Sequence, residues 1–371
     1  MEPAYTTGTF TEFPGFPTTA WGAMEPGAPL TCVTIKRRTP GPTDVHIKIK
    51  YTSACHSDIH QVRAEWSKTG VFPMVPGHEI GGVVEEVGSE VTKFKVGDVV
   101  GVGCMVDSCR SCRNCQRGNE QYCLPPGPVM TYNSPAKYPH CPGHAEKRTQ
   151  YGGYSQDIVV HEGFVCRIPE TLSLAAATPI LCAGITVWSP IKHYGLKAGD
   201  RFAVAGLGGL GSMAVKFAKA MGAHVTVISR GKSKMKDALE GLGADAFVDS
   251  TDAEERKAAA DSFDFLLDCI GANHDIEQYM NLVAVDGKLV LVGLPPSKVT
   301  LSPFSFVAKR KSLCGSMIGG IAETQEMLDF CGEHGIECEI EMAKIEDINE
   351  LYERMLKGDV KYRFVFEPTT W

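Results

Sequence analysis

The chain shows two different patterns of hydrophobic and polar residues, one in its first half and one from about residue 200. In the first half, apolar and polar residues alternate over 44–51, and Val-rich runs punctuated by glycine follow at 81–87 and 96–102. Alternation with a period of two is typical of half-buried β-strands, so this pattern predicts a β-rich domain. Residues 104–150 lose the periodicity and collect Cys, Pro, Asn and Gly, which indicates a long lobe and loop.

From about residue 200, short apolar strands alternate with helical segments. Such alternation predicts a parallel sheet covered on both faces by helices. The last fifty residues are again mixed α and β. We therefore predict that a nucleotide-binding domain is inserted between two parts of a β-rich domain. We expect the domains at 1–189 with 321–371, and at 190–320. Predicted strands are 201–205, 224–229, 246–249, 263–270 and 288–293, and predicted helices are 212–221, 233–242 and 275–283.

Composition narrows the class of protein. The 371 residues are 43% hydrophobic and 22% charged, which is typical of a globular protein of about two domains. A net charge of −7 argues against nucleic acid as the main partner. The most apolar stretch, 172–188, is interrupted by Ser, Thr and Pro, and no signal or transit peptide is recognised, so we expect no membrane partner and a cytoplasmic protein. In such a compartment the fourteen cysteines favour thiols or metal ligands over disulfides.

A glycine-rich turn follows the predicted strand 201–205 and opens a helix. Its sequence fits G-x-G-x-x-G, in which the three glycines allow a tight turn, close approach of a pyrophosphate and close helix–strand packing. The helix N-terminus adds N–H donors for the anion. The alternative is a glycine-rich turn without a ligand. The predicted dinucleotide-binding residues are Gly206, Leu207, Gly208, Gly209, Leu210 and Gly211.

The residues after the second strand of this domain select the cofactor. An NAD site usually has an acidic residue there for the ribose 2′-OH. Here no carboxylate occurs, and cations and a hydroxyl stand at Ser229, Arg230, Lys232 and Lys234. Arg and Lys pair with a 2′-phosphate, so we predict NADP(H). The alternative, a solvated basic helix start, is disfavoured because cations oppose the helix dipole.

Four cysteines lie close together in the lobe at about 104–124. Cys109, Cys112, Cys115 and Cys123 have the spacing C-x2-C-x2-C-x7-C, which suits a closed tetrahedral zinc site. The rival is an iron–sulfur cluster, but the ferredoxin run has a shorter last gap followed by Pro. We therefore predict a structural zinc without a catalytic role.

A second set of metal-ligand types is dispersed: Cys55 in ACHSDIH, His78 in PGHE and Cys182 in ILCAG. Two Cys and one His leave a fourth position open, as in catalytic zinc sites, although spacing alone does not bring them together. With the four-cysteine lobe and the glycine turn, these motifs resemble, in order, the zinc-dependent medium-chain alcohol dehydrogenases. The resemblance covers nearly the whole chain and is greatest to the cinnamyl alcohol dehydrogenase branch and its broad-range bacterial aldehyde reductases, through stretches such as VPGHEIGGVVEEVG, YGGYSQDIVV and GDVKYRFVF.

The resemblance implies an α/β architecture with a GroES-like catalytic domain and a doubly wound Rossmann cofactor domain. It implies that Cys55, His78 and Cys182 hold a catalytic zinc and that Glu79 ligates it transiently, giving two zinc ions per subunit. It further implies a hydroxyl beside the substrate oxygen at Ser57 and the end of a proton relay at His60. Asp58 is expected to orient neighbours of the metal or, alternatively, to cap a helix.

The implied reaction is NADP(H)-dependent, zinc-assisted hydride transfer between aldehydes, aromatic or aliphatic, and primary alcohols. The alternatives are reduction of C=C or C=N bonds on the same scaffold, or zinc and nucleotide binding without turnover. The resemblance also implies a homodimer through an edge strand at about 312–318. Two features stay open: Trp66 either lines the substrate pocket or only packs, and His140, Cys141 and His144 either mimic ligands or belong to a surface loop.

Overall fold

The computed structural model describes residues 6–7, 14–66, 70–296, 298–368 and 371, and the chain forms two compact units. One unit combines the chain up to Cys182 with the residues from Gly319 onward, and the second unit is Ala183–Ile318. The second unit is therefore inserted into the first in sequence. In the described residues no single helix could cross a membrane, and one bent pair, 174–181 with 183–193, passes by length and composition only.

The N-terminal part of the first unit is built from strands. Val45, Ile47 and Ile49 are fully buried at alternate positions of one strand, as period two requires. Its elements are β1 Thr6–Thr7, β2 Gly15–Gly22, β3 Thr31–Arg38, β4 Asp44–Ser53, α1 His56–Val62, β5 Val71–Phe72, β6 Ile80–Val87, β7 Val99–Val102, β8 Met105–Asp107, β9 Val129–Met130, β10 Asp157–His161, β11 Cys166–Arg167 and α2 Leu174–Ala177.

The second unit contains a six-stranded sheet in which every neighbouring pair is parallel. Its elements are α3 Ala183–His193, β12 Arg201–Ala205, α4 Gly209–Ala220, β13 His224–Ser229, β14 Ala246–Asp249, α5 Ala253–Ala258, β15 Phe263–Asp268, α6 Ile276–Met280, β16 Val283–Leu291, α7 Phe304–Val307 and β17 Ser312–Gly315. The strand order β14-β13-β12-β15-β16-β17 is the doubly wound Rossmann order, which confirms the predicted fold of this unit.

The C-terminal segment completes the first unit with α8 Ile321–His334, β18 Ile340–Met342, α9 Ile348–Lys357 and β19 Arg363–Phe366. Seven strands form one sheet in the order β11-β7-β6-β4-β19-β18, with β10 also on β4. Strand β19 pairs antiparallel with β4, so that Phe366 lies opposite Thr52. The last strand of the chain thus lies beside the strand that leads into α1, where the predicted site begins.

Several predicted elements have different bounds in the structure. The helix predicted at 233–242 is present as a short π-helix at Asp237–Gly241, and it is preceded by a turn in which Gly231, with φ +63°, donates to Asp249 Oδ1. The helix predicted at 275–283 ends at Met280, since Val283 pairs with Phe263 in the sheet. The edge strand predicted at about 312–318 ends at Gly315.

Candidate active site and metal centres

Cys55 lies at the junction between β4 and α1. It is the N-cap of α1, and the backbone N–H of Cys55 donates to Asp58 Oδ2 at 3.0 Å, so the pair forms a capping box. The junction fixes the direction of the Cys55 side chain, which is buried. Asp58, the third residue of α1, therefore provides the carboxylate that stabilises the first turn of this helix.

The predicted catalytic ligands come together in one buried cluster. One ligand atom from each of Cys55, His78, Glu79 and Cys182 lies within 4.8 Å of all the others, and all four residues are buried. His78 Nε2 lies 3.2 Å from Cys182 Sγ. Two thiols, an imidazole and a carboxylate in this volume suit a zinc ion. Hydrogen bonding to Cys182 lowers the pKa of Cys55 well below its usual value.

Asp58 fixes the orientation of His78. Its Oδ1 accepts from His78 Nδ1 at 3.1 Å and from Gly77 N at 3.2 Å, and the Tyr154 hydroxyl donates to Oδ2 at 3.3 Å. Because Nδ1 faces this carboxylate, Nε2 keeps its lone pair for a metal. Burial lowers the pKa of His78, but Asp58 outweighs burial and the pKa stands well above its usual value. The Asp58 carboxylate thus contacts both the start of α1 and the His78 ring.

Glu79 is a fully buried carboxylate with one unused oxygen. Ser53 Oγ donates to Oε2, whereas Oε1 has no hydrogen-bond partner among the described residues and lies 3.7 Å from Arg363 Nη2. An orphaned carboxylate oxygen beside the cluster fits a residue that can approach a cation. Burial raises the pKa of Glu79 to about 7, and the Arg363 charge opposes this shift.

Arg363 is a site residue that the sequence reasoning did not identify. It stands in the buried run Tyr362–Phe366 and donates to Ala54 O at 3.3 Å. A signal was available, because an arginine inside an apolar strand requires a buried acidic partner. Cys104 and Tyr132 were also missed: the Cys104 thiol contacts Cys182, and the Tyr132 hydroxyl contacts Asp58.

Ser57 and His60 lie on α1, after Cys55. Cys55 Sγ is 3.6 Å from the Ser57 hydroxyl, which places that hydroxyl beside the cluster. His60 Nδ1 contacts Glu65 Oε2 at 2.5 Å, and its ring stacks on Trp66 with centroids 4.9 Å apart. Trp66, whose surface is 43% exposed, therefore packs on the proposed relay residue.

The four lobe cysteines form a second cluster. Their sulfur atoms all lie within 4.8 Å of one another; Cys115 Sγ is 3.8 Å from Cys109 Sγ and 3.5 Å from Cys112 Sγ. Zinc–sulfur bonds of about 2.3 Å in a tetrahedron separate sulfurs by about 3.8 Å. The thiols are free and two receive backbone N–H donors, so the donor set fits a closed zinc site: the N–H of Cys112 bonds Cys109, and that of Cys109 bonds Cys123.

The loop after the lobe brings a further group of ligand types together, Asp107, His140 and Cys141. Arg110 already binds both Asp107 oxygens at 2.9 Å, and His140 Nε2 is 3.1 Å from Ser108 O. The potential metal-ligand atoms of Asp107 and His140 are therefore engaged in contacts with other protein groups. His144 is not part of this group. The contacts hold the loop on the lobe.

The predicted dinucleotide-binding turn needs glycine at two of its positions. Gly206 has φ +90°, and a Cβ at Gly211 would lie 2.1 Å from Gly206 O, so both positions need glycine. A Cβ at Gly208 meets nothing within 4 Å, which leaves open space above the N-terminus of α4. Leu207 is buried, and Gly209 and Leu210 form the first turn of the helix.

The three predicted cations differ in their partners. Lys234 Nζ donates to Leu207 O at 2.6 Å, which ties it to the glycine turn. Lys232 pairs with Glu255 at 2.9 Å. Arg230 is exposed, and among the described residues it makes no hydrogen bond or ion pair. Ser229, at the end of β13, is half-buried.

Comparison with known proteins shows matches along most of the chain. Residues 41–170 match the family described as alcohol dehydrogenase GroES-like domain, and residues 209–333 match the zinc-binding dehydrogenase family. An NADP-dependent alcohol dehydrogenase C of Mycobacterium bovis is 51% identical over 94% of this chain and 97% of its own. The chain belongs to the zinc-binding alcohol dehydrogenase family. Cys182, between the two matched segments, completes the buried cluster of this family member.

Two further relatives agree with this membership. Aldehyde reductase YahK of Escherichia coli is 51% identical to this dehydrogenase over 95% of the chain and 98% of its own length. The structure of a cinnamyl alcohol dehydrogenase from Helicobacter pylori complexed with NADP(H) is 40% identical, with a TM-score of 0.88 over 96% of this chain and 99% of its own. The GroES-like and Rossmann architecture predicted from the resemblance is confirmed.

Proposed function

We propose that the chain is an NADP(H)-dependent alcohol dehydrogenase of the cinnamyl type that interconverts aldehydes and primary alcohols. The observation that carries the proposal is the buried convergence of Cys55, His78 and Cys182 with Glu79 beside them. Similarity to an NADP-dependent alcohol dehydrogenase, an aldehyde reductase and a cinnamyl alcohol dehydrogenase supports the substrate class.

Cys55, His78 and Cys182 would hold the catalytic zinc, with Glu79 as a transient ligand, and the four lobe cysteines would hold a structural zinc. When bound, zinc supplies Lewis-acid polarisation of a carbonyl, and the reduced nicotinamide supplies a hydride. Asp58, at 3.1 Å from His78 Nδ1, orients the ring so that Nε2 faces the other ligands. The buried position of all four cluster residues excludes water from their surroundings.

Proton movement is assigned to Ser57 and His60. The Ser57 hydroxyl, 3.6 Å from Cys55 Sγ, is the group that would exchange a proton with the substrate oxygen. His60 would pass that proton on, and its Nδ1 contacts Glu65 Oε2. Because Ser57, His60 and the three ligands are all present, carbonyl chemistry is favoured over reduction of C=C or C=N bonds.

The inserted unit, predicted over 190–320, would bind NADP(H) on the turn Gly206–Gly211. Arg230, exposed and without an ion-pair partner among the described residues, is the cation available for the 2′-phosphate. Lys234 would help from the glycine turn, while Lys232 must exchange Glu255 for a phosphate. Equal turnover with NADH would contradict this cofactor assignment.

The direct test is the initial rate of NADPH oxidation with cinnamaldehyde. We expect turnover by the wild type, near-complete loss for Cys55→Ala, and wild-type turnover for Cys32→Ala, which removes an exposed thiol of β3. Zinc analysis should give two ions per chain for the wild type. Absence of turnover in a folded, zinc-loaded wild type would favour C=C or C=N reduction, or binding without turnover.

The proposed assembly is a cytoplasmic homodimer formed through β17. This strand is the last of the six-stranded sheet, so one side of it has no partner strand within the described chain. Next to it in sequence, Phe304 and Val307 are 73% and 74% exposed. An open sheet edge beside exposed apolar side chains supports pairing with a second copy.

A further inference from the structure

The loop after the zinc lobe returns to the four-cysteine cluster through one buried tyrosine. The Tyr138 hydroxyl lies 3.2 Å from Cys123 Sγ and 2.6 Å from Gly127 O. Next to it, Lys137 Nζ donates to Pro128 O at 2.6 Å and interacts electrostatically with Cys123. The loop thus brings a hydroxyl and a positive charge to one of the four thiols.

The loop is itself held on the lobe by several contacts. The Tyr138 and His140 rings stack with centroids 5.6 Å apart, His140 contacts Ser108 O, and Cys141 Sγ lies 3.2 Å from Asp107 Oδ2. Tyr138 is only 8% exposed. The position of its hydroxyl is therefore fixed by packing on both sides.

The chemistry of a zinc-bound thiolate determines which group donates in the hydrogen bond between Tyr138 and Cys123. A protonated thiol can donate to the tyrosine oxygen, but a thiolate can only accept, so with zinc bound the Tyr138 hydroxyl, which donates to Gly127 O, would share its proton with Cys123 Sγ. Four thiolates around one Zn²⁺ leave a net charge of about −2, which hydrogen-bond donors and cations stabilise. The Ser108 hydroxyl, which accepts from the Cys115 thiol at 3.3 Å, would donate to the zinc-bound thiolate in the same way.

We propose that Tyr138 stabilises the zinc-bound form of the four-cysteine site by hydrogen bonding to Cys123, and that the loop around it retains the metal. The inference rests on the structural zinc of the proposed function. Loss of a partner that hydrogen-bonds a metal ligand typically costs about 10- to 100-fold in metal affinity. The role of Tyr138 is positional and electronic, because it contacts a ligand and not the reacting atoms.

The test is the rate of zinc transfer to a chromophoric chelator from Tyr138→Phe, in a Cys55→Ala background that leaves only the lobe zinc. Phe keeps the ring and its packing, so only the hydroxyl is lost. We expect release about 10-fold faster or more than from Cys55→Ala alone, and no change for Tyr151→Phe, which removes a half-buried hydroxyl outside the loop.

Cobalt substitution separates hydrogen bonding from loosening of the loop. If the hydroxyl donates to the thiolate, its removal shifts the sulfur-to-cobalt charge-transfer band to lower energy, whereas a merely structural effect leaves the band in place. One zinc per chain with equal release rates and an unshifted band would overturn the role of Tyr138 alone. No zinc in the Cys55→Ala protein would instead overturn the proposed structural zinc.

Discussion

Asp58 combines two tasks in one buried carboxylate, since it caps α1 through Cys55 N and holds His78 through Nδ1. In Asp58→Asn the side chain retains its size but loses its charge and one acceptor oxygen. We expect the affinity of the catalytic site for zinc to fall by about 10- to 100-fold, and turnover with it. Chelator competition on the wild type and the variant measures this.

The surface substitution Asp286→Asn is the matched control for Asp58→Asn. Asp286 pairs with Arg310 on an exposed part of the second unit, so its loss should leave zinc affinity unchanged. If Asp58→Asn binds zinc as tightly as this control does, His78 does not depend on Asp58 for its orientation.

The lowered pKa of Asp157, which belongs to neither candidate zinc site, predicts that the stability of the protein depends on pH. Burial raises its pKa, but hydrogen bonds from His46, Thr18 and Lys48 outweigh burial and lower the pKa to about 2, from 3.8. Because the folded-state pKa is the lower one, the stabilisation is present above pH 4 and is lost as pH falls towards 2. Asp157→Asn should therefore lose about 2 kcal/mol at pH 7.

Urea unfolding of wild type and Asp157→Asn between pH 7 and pH 3 measures this contribution. The difference in free energy of unfolding should be constant down to about pH 5 and should shrink below pH 4. A difference that does not vary with pH would mean that the amide replaces the carboxylate in the network.

At the candidate site, residues in local sequence motifs were predicted, whereas residues that join the site through contacts distant in sequence were not. Cys55, His78 and the lobe cysteines could be identified because each lies in a short, characteristic segment. For Arg363 the sequence signalled only that a buried acidic partner is needed; the partner, Glu79, is remote in sequence and comes close through the pairing of β19 with β4. Tyr138 lies in a loop without periodicity, where nothing in the sequence specifies the direction of the side chain.

At the level of elements, substitutions in the glycine turn should distinguish its role in cofactor binding from its role in folding. A Cβ at Gly208 meets no atom within 4 Å, so Gly208→Ala should fold with an unchanged melting temperature. The added methyl group occupies the space expected for the pyrophosphate, and we expect the Kd for NADPH to rise about 10-fold or more. Calorimetric titration and thermal unfolding of the same samples measure both quantities.

Gly211→Ala is the informative comparison. Its Cβ would lie 2.1 Å from Gly206 O, so this variant should lose stability as well as affinity. Equal effects of the two substitutions on melting temperature would contradict the distinction drawn here.

Elements were predictable where one hydrophobic period persists, and not where turns intervene. Strand β4 keeps period two along its buried face, and β12 keeps a continuous apolar run. The helix predicted at 233–242 is confirmed only over Asp237–Gly241, and before it Gly231 donates to Asp249, at the end of β14. Such long-range hydrogen bonds leave no local pattern.

For the whole molecule, the exposed apolar residues of α7 give a test of the proposed dimer. Phe304→Asp with Val307→Asp places two charges next to β17 in sequence, and we expect the proposed dimer to dissociate to monomers at micromolar concentration. Val96→Asp, at a 61% exposed valine of the first unit, is the control and should remain dimeric. Sedimentation velocity measures the assembly; a double variant that stays dimeric would place the interface elsewhere.

The interrupted course of the first unit has a consequence for biosynthesis. Its sheet needs β19 beside β4, and its site needs Arg363, yet these residues leave the ribosome only after the whole inserted unit has been made. The Rossmann unit is continuous in sequence and can fold as soon as it emerges, whereas the half-made first unit must wait with Cys55 and His78 uncovered. Nascent chains halted before residue 363 should therefore contain a protease-resistant Rossmann unit and a protease-sensitive N-terminal segment.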